Sequence, residues 1–226
     1  MRKFTTLVIS FLTFSTSIFA QSHKYYDTKH EIGVTIGTLA STQIGSMNDS
    51  QLTDISPSAA AIKAAGLESY DTNSYSPYGP TTYLPNISIE YYYHVSKVIG
   101  IGAFLAFNGN KRDMHLTYLD KYEVWQSKKT GVARFYNFSL TPSIRFDYLR
   151  KKNFGMYGKT GIGVGIMYES QKEDVKEGVD FNDATLVFIP SITLLGMEAG
   201  SPKLRVFTEI GFSDQGILLL GGKYRF

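Results

Sequence analysis

Chemistry in this chain would have to come from a small stock of side chains. Its four histidines, His23, His30, His94 and His115, are scattered. No two stand at metal-ligand spacing and none belongs to a His-Glu-x-x-His helix, so no metal site is expected. There is no cysteine, hence no thiol nucleophile and no disulfide. The nearest approach to a catalytic set is His115 and Thr117 with Asp113, Asp120 and Glu123 close by. These read as ordinary loop polars, because a cluster of polar residues is not yet a catalytic site. Glu173, Asp174, Glu177, Asp180 and Asp183 crowd another polar stretch, but without the fixed ligand positions and central glycine of an EF-hand. The reading is therefore non-enzymatic, with no cofactor. A richer set remains: Glu31, Glu90, Asp147 and Glu209 against Arg145, Lys159, Arg205, Lys223 and Arg225. All nine occupy alternate positions in otherwise apolar or small-residue runs, a pattern that can gather opposite charges on one face of a sheet.

Those runs alternate with a period of two, the signature of strands. In His30–Ala40, Ile32, Val34 and Ile36 oppose Glu31, Gly33, Thr35 and Gly37. The same pattern recurs in Asn86–Val95, Val98–Asn108, Ala133–Leu149, Phe154–Tyr168, Thr185–Leu195, Lys203–Ser213 and Gly216–Phe226, eight predicted strands in all. Their connections alternate between long and short. Residues 41–81 form a long segment in which Ser56-Pro57 could start a short helix ended by Gly66. Gly109–Gly131 and Glu169–Asp183 read as polar loops. The links at Ser96-Lys97, Arg150–Asn153 and Gly200–Pro202 are tight. The Asp214-Gln215 link is a short exception among the connections at the loop end.

The alternation admits two opposite placements. In a soluble, lipocalin-like barrel the apolar face points inward; in a membrane barrel it points to lipid and the polar face lines the lumen. The polar faces here carry glycines and opposite charges and not a solvated Lys/Glu mixture. Gly33, Gly100, Gly102, Gly161, Gly163 and Gly165 would make room for long neighbours inside a narrow barrel, which side chains just fill. Tyr91, Tyr93, Tyr148, Phe154, Tyr224 and Phe226 gather at strand ends, as an interfacial girdle requires. The expectation is an all-β fold: a transmembrane antiparallel up-and-down β-barrel of about eight strands, with long extracellular loops and short periplasmic turns.

Both termini agree. Arg2 and Lys3 precede an apolar run from Leu7 to Phe14, and Ala20 stands before Gln21. Residues 1–20 thus read as a signal peptide, leaving 21–226 as one barrel domain. The last stretch, GILLLGGKYRF, alternates up to Phe226. With Gly221 and Tyr224, this terminal pattern resembles the signal by which outer-membrane barrels are recognised by the barrel-insertion machinery. From leader to final Phe the chain resembles small eight-stranded outer-membrane barrels of the OmpA/OmpX type, and the outer-membrane β-barrel domain families that include PorT-like proteins. The resemblance is one of pattern and brings no functional motif with it. It implies an integral protein of a Gram-negative-type outer membrane, in contact with membrane lipid and lipopolysaccharide.

A net charge of +3 is too small and dispersed for nucleic acid to be a partner. Tyr70, Tyr75, Tyr78 and Tyr83, among Ser, Gly and Asn, give the first long loop the composition of adaptable binding surfaces. A role in surface binding or envelope integrity, with an unidentified extracellular or envelope partner, is the expectation. A lipid A-modifying enzyme, a narrow porin-like channel and a soluble ligand-binding barrel are the alternatives.

Overall fold

A computed structural model describes residues 28–48, 62–63, 66, 74–76, 81–119, 122, 124–174 and 180–226. In chain order the elements are β1 His30–Thr38, α1 Ser41–Asn48, β2 Ser74–Ser76, β3 Thr81–His94, β4 Ile99–Leu119, β5 Trp125–Arg150, β6 Phe154–Glu173, β7 Asp180–Gly200, β8 Leu204–Phe212 and β9 Leu218–Arg225. Strand β1 pairs with β3 on one side and β9 on the other, and β4 with β5, so β1 and β3 to β9 close one antiparallel ring. The short β2 lies outside the ring, on the upper edge of β4. Closure leaves the ring without an edge strand, as a lipid environment demands.

The faces are those of a transmembrane barrel and not of a lipocalin. Phe188 is 75% exposed and Ile162 72%, whereas Arg145 and Glu31 are fully buried. Glycines on the inner face accept large neighbours. A Cβ on Gly196 would stand 2.4 Å from the Tyr157 ring, and one on Gly33 2.9 Å from Glu90 Cγ. Two of the three tight turns are fixed by serine: the Ser96 hydroxyl accepts the N–H groups of Val98 and Ile99, and the Ser201 hydroxyl that of Leu204.

Two expected loops are largely strand. Residues 109–131 continue β4 and β5 as a hairpin rising well past the apolar band, and β6 and β7 extend to Glu173 and Asp180. Above the band the burial still alternates, with Arg112, Met114 and Leu116 buried between Lys111, Asp113 and His115, but the two faces are mixed in polarity, so the alternation is hard to read from residue types. In the first long connection, α1 follows β1 directly. Ile62 and Lys63 are helical, and the Gly66 N–H closes onto the Lys63 carbonyl with φ +84°. The predicted helix start at Ser56-Pro57 lies outside the described residues, as do the leader and Glu177.

Candidate functional site: the charged lumen and its mouth

Strand alternation sends nine sequence-marked charges into the bore, where two linked clusters form. At the short-turn end, Glu31 accepts from Arg145 Nη1 (2.5 Å), Arg225 Nε (2.7 Å) and Lys223 Nζ (3.1 Å). The Arg145 guanidinium also donates to Asp147 at 2.8 Å and to Glu198 at 3.0 Å, thus spanning three carboxylates. Farther up, Lys159 Nζ lies between Glu90 (2.5 Å) and Glu209 (2.6 Å). Glu209 accepts in addition from the hydroxyls of Tyr157 and Thr193. The Arg145 guanidinium carbon sits 3.6 Å from the Tyr157 ring centroid, and Lys223 Nζ lies 4.4 Å from both the Tyr157 and Phe207 rings. Buried charges are tolerated only when paired and hydrogen-bonded, and these aromatic faces contribute further to the cations.

Sequence reasoning missed Glu198, which takes Arg205 (2.8 Å), Lys223 (2.8 Å) and Arg225 (2.6 Å) besides Arg145. The predicted strand stopped at Leu195, and a register shift between Thr193 and Leu195 reverses the alternation beyond it. Glu198 therefore points inward although Leu194, four residues earlier, points to lipid. An excess of cations at that end was the only available signal. A similar shift between Asp147 and Leu149 brings Arg150 inside, 3.7 Å from Asp147 and 3.2 Å from His94 Nδ1. His94 itself lies 3.3 Å from Asp147. Five carboxylates (Glu31, Glu90, Asp147, Glu198, Glu209) thus face six cations (Arg145, Arg150, Lys159, Arg205, Lys223, Arg225). This lattice packs the bore with interlocked opposite charges, one cation in excess of the carboxylates.

The mouth is closed by neutral polar groups around one carboxylate. After Leu39, at φ +47°, the chain turns inward and α1 begins, with the Ser41 N–H on the Ser213 carbonyl. Fully buried Gln43 accepts from the Ala40 N–H (2.8 Å) and donates to the Gly109 (2.8 Å) and Leu84 (3.2 Å) carbonyls. Asp214 accepts from Thr42, Asn137 and Ser139, and Asn108 donates to its backbone carbonyl. The first turn of α1 is a plug.

The other marked residues are dispersed. On the raised hairpin His115 Nδ1 stands 3.2 Å from Ser127 Oγ. Asp113 is taken by Lys129 at 2.8 Å, a hydrogen bond that holds its carboxyl below the usual value. Ser127 was missed because its strand read as loop. Among the described residues no His, Cys, Asp and Glu group suited to a metal occurs. Gly221 lies beneath the Phe207 ring. Tyr224 and Phe226 are exposed, and Phe226 stacks on His30 with ring centroids 5.4 Å apart. Tyr83 is half-buried at the seam where β3 leaves β1. Tyr75 is in β2, opposite Leu116; Tyr70 and Tyr78 fall outside the described residues.

No family model matches the chain, and no curated protein matches it. Among solved structures it is similar to the crystal structure of Ail, the attachment invasion locus protein of Yersinia pestis. That match has 13% identity over 88% of this chain and 97% of that one, with a TM-score of 0.40. The same protein in complex with the heparin analogue sucrose octasulfate gives 0.39, at the same identity and coverage. Its backbone structure in a phospholipid bilayer nanodisc gives 0.35, at 13% identity over 88% and 100% of the two chains.

Proposed function

We propose that this protein is an integral outer-membrane barrel, exported by a cleaved leader, that binds an extracellular or envelope partner through its loops and performs no catalysis. The observation carrying this reading is the filled bore beneath a plugged mouth, encased in an apolar exterior. A barrel so filled is a rigid scaffold, and on rigid scaffolds function concentrates in the loops. The first long connection, with Tyr70, Tyr75, Tyr78 and Tyr83, is the binding segment. Gly221, Tyr224 and Phe226 serve its insertion into the membrane, and the lumen charges hold it rigid once inserted.

The test must spare the plug. Deleting residues 49–73 leaves α1 and β2 in place. Cells displaying this variant are expected to lose binding to surface glycans and proteins that cells displaying the full chain retain, at equal outer-membrane levels. Retained binding would confine the site to Tyr75, Tyr78 and Tyr83, and binding that also survives their joint replacement by Ser would move the function elsewhere on the barrel.

A further inference from the structure

The outer wall carries a feature that loop binding does not use. Across β3 to β6, in the half of the wall toward the raised hairpin, runs a shallow apolar groove of about 500 Å³. Ile89, Leu105, Phe107, Phe138, Leu140 and Ile166 are among its walls. Tyr136 stacks on Phe107 at its upper end, ring centroids 6.3 Å apart, and pairs across the sheet with Tyr168. This is where an aromatic girdle marks the lipid–water boundary.

One outward step above Tyr136, two cations stand directly opposite each other: Lys111 on β4 and Arg134 on β5. Both are exposed. Like charges directly opposite on adjacent strands destabilise a sheet, and no described carboxylate hydrogen-bonds either one. The nearest acid, Asp113, sits in the field of Lys111 but is occupied by Lys129. Lys172, higher on β6, faces Asp180. Among the described residues the Lys111–Arg134 pair thus has no carboxylate hydrogen-bonded to it, and it stands just above an apolar groove and its aromatic rim. Both side chains can reach down along apolar surface while keeping their charge at the headgroup level, and Arg can offer a phosphate two parallel donors.

We infer that this wall binds a phosphorylated, acylated lipid of the outer leaflet, with its phosphate between Lys111 and Arg134 and an acyl chain in the groove. The inference rests on the proposed membrane placement. The like-charged pair is then a site completed by its ligand, and each basic residue near the headgroups adds to the attraction.

The test titrates the full-length protein in detergent micelles with diphosphorylated lipid A and with the same lipid after dephosphorylation. K111Q/R134Q is expected to weaken binding of the diphosphorylated probe roughly 30-fold, leaving the weaker binding of the dephosphorylated probe unchanged. Val164→Trp, which obstructs the groove, is expected to weaken both. K97Q/K151Q, at the opposite rim, is expected to weaken neither. Equal affinity of K111Q/R134Q and wild type would overturn the site. So would equal loss in K97Q/K151Q, or displacement of the lipid by millimolar inorganic phosphate. Because these positions are exposed, every variant should keep a heat-dependent gel shift. A wild type without that shift would instead overturn the membrane placement.

Discussion

At the scale of single residues, Glu198 shows how the lumen is held. It accepts four cations from three strands, all buried. Breaking a buried ion pair from one side leaves uncompensated charge and costs about 3–5 kcal/mol. Glu198→Gln removes the charge while keeping the size, so Arg145, Arg205, Lys223 and Arg225 lose their shared counter-charge. Urea unfolding of protein refolded into lipid vesicles should show a loss of that order, whereas Lys97→Gln, in an exposed turn, should show almost none. A loss below about 1 kcal/mol would mean that the lattice is filler and not a structural tie. Residue types alone placed Glu31, Glu90, Arg145, Asp147, Lys159, Arg205, Glu209, Lys223 and Arg225 on one set of faces, and their side chains meet in the bore. Glu198 escaped the same reasoning because a one-residue shift moves every later side chain to the other face.

At the scale of elements, legibility follows lipid contact. Within the apolar band each strand has one greasy and one polar face, and the period of two is readable. In the raised hairpin of β4 and β5 the buried face mixes Arg112 with Met114 and Leu116, so burial no longer follows hydrophobicity and the segment reads as a loop. Helix α1 was invisible for another reason. STQIGSMN has no apolar stripe, and Ser, Thr, Gly and Asn outnumber its helix formers Gln43 and Met47; the described contacts that hold it belong to the mouth: Ser213, Leu84, Gly109, Asn108 and Asp214. A plug held this way should loosen as a unit. Gln43→Ala strands the Leu84 and Gly109 carbonyls, at a cost of about 1–3 kcal/mol for buried groups left unsatisfied. Hydrogen exchange should then quicken at Ile44, whose N–H bonds the Ala40 carbonyl, and at the neighbouring α1 amides. Exchange in β6 should not change. Uniform acceleration across the barrel would show that α1 is integral to the wall and not a separable plug.

At the scale of the whole molecule, everything depends on which way the two faces point. The structure puts Phe188, Ile162 and Leu220 outside and the charges inside. Only a surrounding lipid phase makes such an exterior stable, since a contiguous apolar belt of this extent on a soluble monomer would drive association. The most direct test is to fractionate cells making the full chain and run the envelope fraction on gels with and without boiling. A closed, lipid-embedded barrel predicts recovery in the outer-membrane fraction and faster migration before heating than after. Recovery in the soluble fraction, with migration indifferent to heating, would contradict the account at its base.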